Sequence, residues 1–145
     1  MGYDLKTYDS NEVSVTFAGR SIDTGRADGD FYTSEYNAET FTRKAGADGE
    51  QTRSKTNDRS ATIKIKVMQT SDGHKLLMQL HELALASENG NDVAALEVND
   101  LSGGLVERAA KAWIKKPPAA TYGREAGERE WELECANLIR EVVTA

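Results

Sequence analysis

The chain has 145 residues, the length of one ordinary domain with a core of its own. Its 24 acidic and 18 basic side chains give a formal charge of −6, which argues against attractive binding to a nucleic-acid backbone. One cysteine, Cys135, excludes an internal disulfide, and no apolar run approaches the roughly 20 residues that span a bilayer. We therefore expect a single domain over residues 1–145, non-secretory and without membrane insertion.

The first part of the chain has the pattern of β-strands separated by turns. Residues 13–17 alternate apolar and polar side chains, which is typical of a strand with one buried face. Ala18-Gly19-Arg20 has the composition of a turn that opens a short hairpin. Residues 31–36 are rich in aromatic side chains and threonine, and residues 40–44 follow in the same style, so we expect a strand at each.

The clearest strand in the sequence covers residues 61–69, where apolar and polar side chains alternate without a break. The side chains predicted to face the core are Ile63, Ile65 and Val67. Lys64 and Lys66 fall on the opposite face, which the alternation places in solvent.

A long polar segment, residues 45–59, separates this strand from the one before it. A structureless connection of this length is uncommon in a compact domain and is usually functional or disordered. Its composition suits disorder in an isolated chain. We therefore expect a long inter-strand loop that a neighbouring copy of the chain puts in order.

Residues 72–88 are the only strong helix candidate. Thr70, Ser71 or Asp72 can cap its start, and Gly90 within Asn89-Gly90-Asn91 can end it. Leucines recur at three- and four-residue spacings, which predicts one apolar stripe against a sheet. The leucines of this stripe are Leu76, Leu77, Leu80, Leu83 and Leu85, and three of them, Leu76, Leu80 and Leu83, are predicted core residues.

The last predicted strand, residues 128–139, has two chemically distinct faces. One face carries Trp131, Leu133 and Cys135, which are predicted core residues, and the other carries Glu130, Glu132 and Glu134. If this strand lies beside residues 61–69, cross-strand lysine–glutamate pairs offset part of the repulsion within the acidic ladder. The charged face is then either an ordinary solvated sheet face or the lining of an aqueous channel.

Two further strands, at residues 93–98 and 105–115, complete the pattern. The chain order is several strands, one helix, then more strands, which is typical of a β-rich α+β fold. We predict two packed antiparallel sheets that form a β-sandwich or barrel, with one flanking helix and the long loop between strands.

The sequence has few residues that indicate chemistry. His74 and His81 lie seven residues apart, whereas helical metal sites more often use a pair four apart with a third ligand, so we expect surface histidines and no metal. Cys135 alternates with apolar residues and is expected to be a small buried side chain. No glycine-rich loop precedes a Lys-Ser or Lys-Thr pair. We therefore predict no catalytic residue and no cofactor.

One stretch is similar to a known family. Residues 54–71 read Ser-Lys-Thr-Asn-Asp-Arg-Ser-Ala-Thr-Ile-Lys-Ile-Lys-Val-Met-Gln-Thr-Ser: a polar Asn-Asp segment, an alternating strand, then Gln-Thr-Ser at the start of a helix. This order resembles that of the tail tube proteins of contractile-tailed bacteriophages. Lys111-Ala112-Trp113-Ile114 is similar to a late strand of the same family. The resemblance covers most of the chain in layout and about a fifth of it in detail.

The resemblance implies a structural protein rather than an enzyme. Such proteins form hexameric rings of subunits, each with two roughly orthogonal sheets and one helix, and the rings stack into a tube that conducts DNA without binding it specifically. It further implies contacts with the tail sheath, the baseplate or tube initiator and the tail terminator. The implied location is the virion tail, assembled in the host cytoplasm.

The resemblance also implies roles for two groups of residues. The long loop would reach the adjacent ring, and its candidate contact residues are Gly46, Asp48, Glu50, Arg53, Lys55, Asn57, Asp58 and Arg59. The candidate residues of the lumen or of a solvated strand face are Lys64, Lys66, Glu130, Glu132 and Glu134. The family pattern places the two lysines in the inner sheet, so they are either paired with acids or turned towards the sheath.

Two other interpretations stay open at this stage. The same fold occurs in the inner tubes of pyocins and of type VI secretion systems, which conduct no DNA. A monomeric small β-barrel binding domain would fit the strand pattern as well. Such a domain needs a convergent polar pocket, which the sequence does not indicate.

Overall fold

The computed structural model describes residues 5–22, 25–87 and 93–142. Within those ranges it has one α-helix and ten strands, after a single turn of 3-10 helix at Ser10–Glu12. Their bounds are β1 Val13–Phe17, β2 Arg20–Ser21, β3 Tyr32–Tyr36, β4 Phe41–Ala45, β5 Gln51–Lys55, β6 Ala61–Met68, α1 Asp72–Ala86, β7 Ala94–Asp100, β8 Leu105–Lys116, β9 Glu128–Cys135 and β10 Leu138–Val142. In this described part of the chain, no helix combines the length and apolar character needed to cross a membrane.

Eight strands form one antiparallel sheet in the order β2-β1-β7-β8-β9-β6-β3, with β10 also paired to β8. One edge of β8 carries two strands in succession: β10 along Leu105–Ala109 and β9 from Ala112 onwards. The sheet therefore divides at β8 into a first half, β2-β1-β7-β8-β10, and a second half, β8-β9-β6-β3. The halves pack as a sandwich over one core, and the sheet does not close into a barrel, so the predicted β-rich fold with a single flanking helix is confirmed.

The core consists of the inward side chains of both halves, because alternate residues of each strand point to the same side. In the second half, β6 and β9 place Ile63 opposite Leu133 and Ile65 opposite Trp131. All four side chains are buried. The other buried residues of this cluster include Val13, Val15, Phe17, Ala61, Val67, Leu96, Val98, Ala109, Cys135 and Leu138.

Helix α1 covers one side of this core. Its N-cap is Ser71, whose hydroxyl accepts a hydrogen bond from the backbone N–H of His74 at 3.1 Å. Leu77 is fully buried, and Leu76 and Leu80 pack against the core. Leu83 is 67% exposed, so its prediction as a core residue was wrong: it lies about 120° around the helix from Leu77. The helix ends at Ala86, and the predicted cap at Asn89-Gly90-Asn91 lies outside the described residues.

The two histidines of α1 face inwards rather than into solvent, which corrects the prediction of surface histidines. The indole N–H of Trp131 donates to Nδ1 of His74 at 3.1 Å. The His81 ring meets the same indole edge-on, with 6.4 Å between ring centroids. Seven residues are almost two helical turns, so both imidazoles reach the one large aromatic residue beneath the helix.

The predicted strand at residues 128–139 is two strands, β9 and β10. They follow the same edge of β8, and the break falls at residues 136–137. There the N–H of Ala136 bonds to the carbonyl of Lys111 at 3.2 Å, and the N–H of Leu138 bonds to the carbonyl of Arg59 at 2.9 Å. The break is where the sheet bends from its second half into its first.

Truncation of a core residue tests the sandwich. We expect Leu133→Ala to lower the free energy of unfolding by about 2–5 kcal/mol, because it leaves a cavity between two sheet halves. Leu85→Ala is the matched control, since Leu85 is 74% exposed and its truncation should change stability by less than about 0.5 kcal/mol. Urea denaturation measures both, and equal losses would contradict this core.

The Trp131–His74 bond predicts a pH dependence. Burial, with a smaller contribution from Arg129, lowers the pKa of His74 below its ordinary value of 6.5. The unfolded chain therefore takes up this proton at higher pH than the folded protein, so the stability contribution is fully present above about pH 6.5 and is lost as the pH falls from there through the folded pKa of His74. Unfolding should be easier at about pH 5 than at about pH 7.5. His74→Gln, which retains an acceptor without titrating, should show a smaller difference, and an unchanged difference would contradict this role.

Candidate functional site

The first part of the long polar segment and the strand before it form a β-hairpin, which we call the hairpin arm (residues 41–55). Its strands β4 and β5 pair with each other and with no other described strand, and every one of their residues is exposed. The prediction of a structureless loop was therefore wrong for residues 51–55. Neither face of the hairpin is buried, so the sequence lacks the alternation of apolar residues by which strands are detected.

The tip of the arm is a tight five-residue connection. The N–H of Gly46 donates to the carbonyl of Glu50 at 2.7 Å, and the N–H of Gly49 donates back to the carbonyl of Gly46 at 3.1 Å. Gly49 has φ +90°, a conformation that side-chain-bearing residues rarely adopt. The Asp48 carboxylate accepts the N–H of Glu50 at 3.2 Å. Three of the predicted contact residues, Gly46, Asp48 and Glu50, therefore shape the tip.

The root of the arm is fixed to the sandwich by its backbone. Thr56 donates to the carbonyl of Thr40 at 2.8 Å, and the carbonyl of Arg59 accepts the N–H of Leu138 at 2.9 Å. The Asp58 carboxylate accepts the N–H of Ser60 at 3.0 Å, and this hydrogen bond lowers the pKa of Asp58. Asp58 and Arg59 thus hold the root, while Asn57 beside them is exposed.

The two faces of the arm differ in charge. Cross-strand register places Arg43 directly opposite Arg53 and Phe41 opposite Lys55. These four residues, which we call the basic face, lie on one side of the ribbon, and the Arg53 guanidinium stacks 4.3 Å from the centre of the Phe41 ring. No basic-face residue forms a salt bridge within the described chain. Like charges directly opposite disfavour an isolated hairpin, so this face is suited to an anionic surface.

A second exposed surface, which we call the charged face, lies on the outer side of the second half. Strands β6 and β9 are neighbours, with Lys64 opposite Glu132 and Lys66 opposite Glu130. The ion-pair distances to Glu130 are 3.9 Å from Lys64 and 3.5 Å from Lys66. Lys115, on β8, lies 3.7 Å from Glu132 and 3.3 Å from Glu134. The charged face is these six residues.

The charged face is neutral in formal charge, because three lysines pair with three glutamates. The bond to Glu134 raises the pKa of Lys115. The lysine side chains are 39–49% exposed, and ion pairs with this much solvent exposure contribute little to stability. The arrangement is a solvated ladder of compensated charges, without the desolvated carboxylate that acid–base chemistry requires.

A third group of residues, undetected in the sequence, closes the open side of the sandwich. Arg140 on β10 bonds Glu107 at 2.7 Å and the carbonyl and hydroxyl of Ser34 on β3 at 2.9 Å each. The Tyr36 hydroxyl donates to the carbonyl of Leu138 at 2.6 Å. These bonds join residues up to 106 positions apart, so no local pattern could have indicated them.

Comparison with known proteins identifies the family of this chain. The family model described as "Bacteriophage PhiTE tail tube protein" matches residues 5–142. The chain belongs to this tail tube family. A relative described as "Structural protein ORF10", from Pseudomonas phage KPP10, is 25% identical over 136 residues, which cover 90% of this chain and 79% of the relative.

Solved structures share the fold. The tube-terminating cap of the anti-feeding prophage has a TM-score of 0.62 at 8% identity, covering 99% of this chain and 96% of that one. The sheath/tube terminator of the extracellular contractile injection system PVC, in its extended state, has a TM-score of 0.59 at 9% identity, with 97% and 99% covered. A chain of the extended PVC sheath-tube complex also reaches 0.59, at 11% identity, with 94% and 93% covered.

The tail tube family is a family of structural proteins, and its members are parts of the phage tail rather than enzymes. The predicted resemblance to tail tube proteins is confirmed, and so is the expectation of a structural role. This tail tube protein therefore has no reaction to explain. Its function lies in what its surfaces contact.

The energetics of the charged face can be measured by a double-mutant cycle on Lys66 and Glu130. We expect Lys66→Met, Glu130→Gln and the double variant to give a coupling below about 1 kcal/mol that shrinks further in high salt, since both side chains are solvated. Urea denaturation at two salt concentrations supplies the numbers. A coupling of several kcal/mol that salt leaves unchanged would mean that this pair is desolvated.

Proposed function

We propose that this protein is the subunit of a phage tail tube, assembling as hexameric rings that stack around a lumen through which DNA passes during ejection. Membership of the tail tube family supports assembly into a tube. The observation that supports stacking of rings is the hairpin arm. The arm is a hairpin whose strands pair with no other described strand and whose strand residues are all exposed. Ordering an exposed hairpin costs conformational entropy, which contacts with another copy would offset.

The dimensions of the arm suit a contact between rings. A five-residue strand is about 17 Å long, and the tip adds to this reach. Four basic and two acidic residues give residues 41–55 a formal charge of +2. Since the whole chain has a formal charge of −6, the other residues together carry −8. A basic arm and an acidic body attract each other between copies, although the copies as wholes repel.

We assign the charged face to the lumen. Each lysine there already has a glutamate partner, so a passing phosphate meets no continuous positive surface to which it could bind. This pairing accounts for lysines on an inner sheet, and it makes the ladder itself neutral rather than acidic. Repulsion of DNA then comes from the whole assembly, in which six copies at −6 each carry about −36.

The wider assembly follows from the same proposal. The solved structures of similar fold come from a sheath-tube complex and from tube terminators, which supports contacts of this tube with a sheath and with a terminator. The proposal also includes a contact with the baseplate or a tube initiator. Assembly would take place in the host cytoplasm, and the product would be part of the virion tail. The solved structures of similar fold are equally compatible with an alternative function, the inner tube of a pyocin-like or type VI-like injection system. The presence or absence of DNA-filled particles distinguishes a phage tail tube from this alternative.

Assembly can be tested with a variant that lacks the arm. The N–H of Thr56 donates to the carbonyl of Thr40 at the base of the hairpin, so an Asn-Gly turn can replace residues 41–55 and preserve the root. We expect the intact protein, concentrated or seeded with its tube initiator, to give hollow rings and tubes in negative-stain electron microscopy. The truncated protein should fold with an unchanged urea midpoint yet give no tubes.

Thr52→Ser, a conservative change within the arm, is the matched control and should assemble normally. Light scattering gives the mass of the species in solution. A monodisperse monomer at every concentration, with the initiator present, would overturn the tube proposal and favour the monomeric binding domain. Tubes from the truncated protein would show instead that the arm does not stack the rings.

A further inference from the structure

The two sheet halves leave an open cleft at one end of the sandwich. Its volume is about 630 Å³, room for several side chains. Tyr32 at the start of β3, Leu105 at the start of β8 and Val142 at the end of β10 are among its lining residues. Leu105 is 49% exposed and Val142 is 72% exposed, so apolar surface faces solvent at the mouth. An open apolar cleft of this kind commonly marks a contact with another molecule.

The cleft is also acidic. Its lining includes four carboxylates, Asp30, Asp100, Glu107 and Glu141, and one basic residue, Arg140. Glu107 and Glu141 have arginine partners in the same subunit. Asp30 and Asp100 form no salt bridge with any described residue. The Tyr32 hydroxyl is buried in the lining without a hydrogen-bond partner in the described chain.

The cleft and the arm lie at opposite ends of the molecule. Strand β3 runs from Tyr32 at the cleft to Tyr36, after which the chain enters the arm. Strand β10 runs from Leu138, which is hydrogen-bonded to the arm root at Arg59, to Val142 at the cleft. Two strands therefore connect a basic projection at one end with an acidic recess at the other.

We propose that the basic face of the hairpin arm docks in the acidic cleft of the next copy along the tube, with Arg43 and Arg53 facing Asp30 and Asp100. This inference rests on the proposed function and specifies the surface that receives the arm. Charge complementarity supports it, because each surface carries charges without an ion-pair partner in its own subunit; the Asp100 carboxylate does accept hydrogen bonds from Ser102 at 2.8 Å and Gly103 at 3.1 Å. The Phe41 ring beneath Arg53 adds apolar area for the apolar mouth.

The opposite placement of projection and recess determines the kind of assembly. A contact between two different surfaces is heterologous, and when it does not close on itself it repeats without limit. An arm at one end that enters a cleft at the other therefore produces a head-to-tail stack in which every ring points the same way. Only the two terminal rings would keep a free arm or a free cleft, where an initiator or a terminator could bind.

Cysteine cross-linking tests the docking directly. The native Cys135 is buried, and its burial raises the pKa of its thiol, so it reacts slowly. One variant carries Arg53→Cys on the basic face and another carries Asp30→Cys at the cleft. After the two are mixed, assembled and treated with a short bis-maleimide, we expect a covalent dimer of one copy of each in tubes and none in dilute monomer.

Lys44→Cys is the matched control, because Lys44 lies next to the basic face on the paired strand β4, with its side chain on the other face of the arm. Its mixture with Asp30→Cys should give at most a tenth of the cross-linked product. Tubes in which the Arg53 and Lys44 variants cross-link equally, or not at all, would overturn the docking site and leave the tube proposal intact. An absence of tubes from the unsubstituted protein under the same conditions would overturn the proposed function and the docking site with it.

Charge reversal provides a second readout, independent of cross-linking. Arg53→Glu or Asp30→Arg alone should raise the concentration needed for tube formation by about tenfold or more, as expected when like charges meet at an interface. The double variant should recover most of this loss. Both positions are exposed, so the subunit should remain folded in each variant. A double variant that is no better than the worse single variant would contradict this pairing.

Discussion

The architecture depends on the backbone pairing of β8. This strand is longer than any of its partners, and one of its edges carries β10 and β9 in succession. Because β8 belongs to both halves of the sheet, neither half can move away without breaking ladder hydrogen bonds. The bend opposite Lys111 turns the halves towards each other, and their inward side chains then form one core rather than two exposed apolar surfaces.

This bend also explains where the exposed surfaces lie. A sheet folded over itself without closing leaves two edges, β3 and β10, that face each other without a backbone ladder. Side chains bridge this gap along its middle, chiefly Arg140 with Ser34 and Glu107. At one end of the gap the bridge stops and the cleft opens, and at the other the chain leaves β3 to form the arm. The projection and the recess are thus consequences of one incomplete closure.

The extent to which the sequence predicts this structure follows from burial. Strands β6 and β9 each have one buried face, so their alternation predicted both the strands and their inward residues, and the register then paired Lys66 with Glu130. The arm buries neither face and gave no such signal. Leu83 has the spacing expected of the apolar stripe on the helix, yet that spacing alone does not show which leucines of the stripe pack against the sheet. The contacts of Arg140 and of the two histidines join distant elements, which only the folded chain brings together.

In a tail tube, the subunits must bind one another strongly, whereas the lumen must bind the passing molecule only weakly. These two requirements place opposite demands on charged residues. Where Lys64, Lys66 and Lys115 meet their glutamates within one subunit, little electrostatic field remains to act on a passing polyanion. Arg53 and Asp30 form no ion pair with a described residue of their own subunit, so the opposite charge must come from solvent or from another copy. Charges compensated inside the subunit therefore suit a surface for sliding, and charges left uncompensated suit a surface for assembly. If the charged face lines the lumen and the hairpin arm forms the interface, as proposed, the distribution of ion pairs rather than the net charge distinguishes these two surfaces.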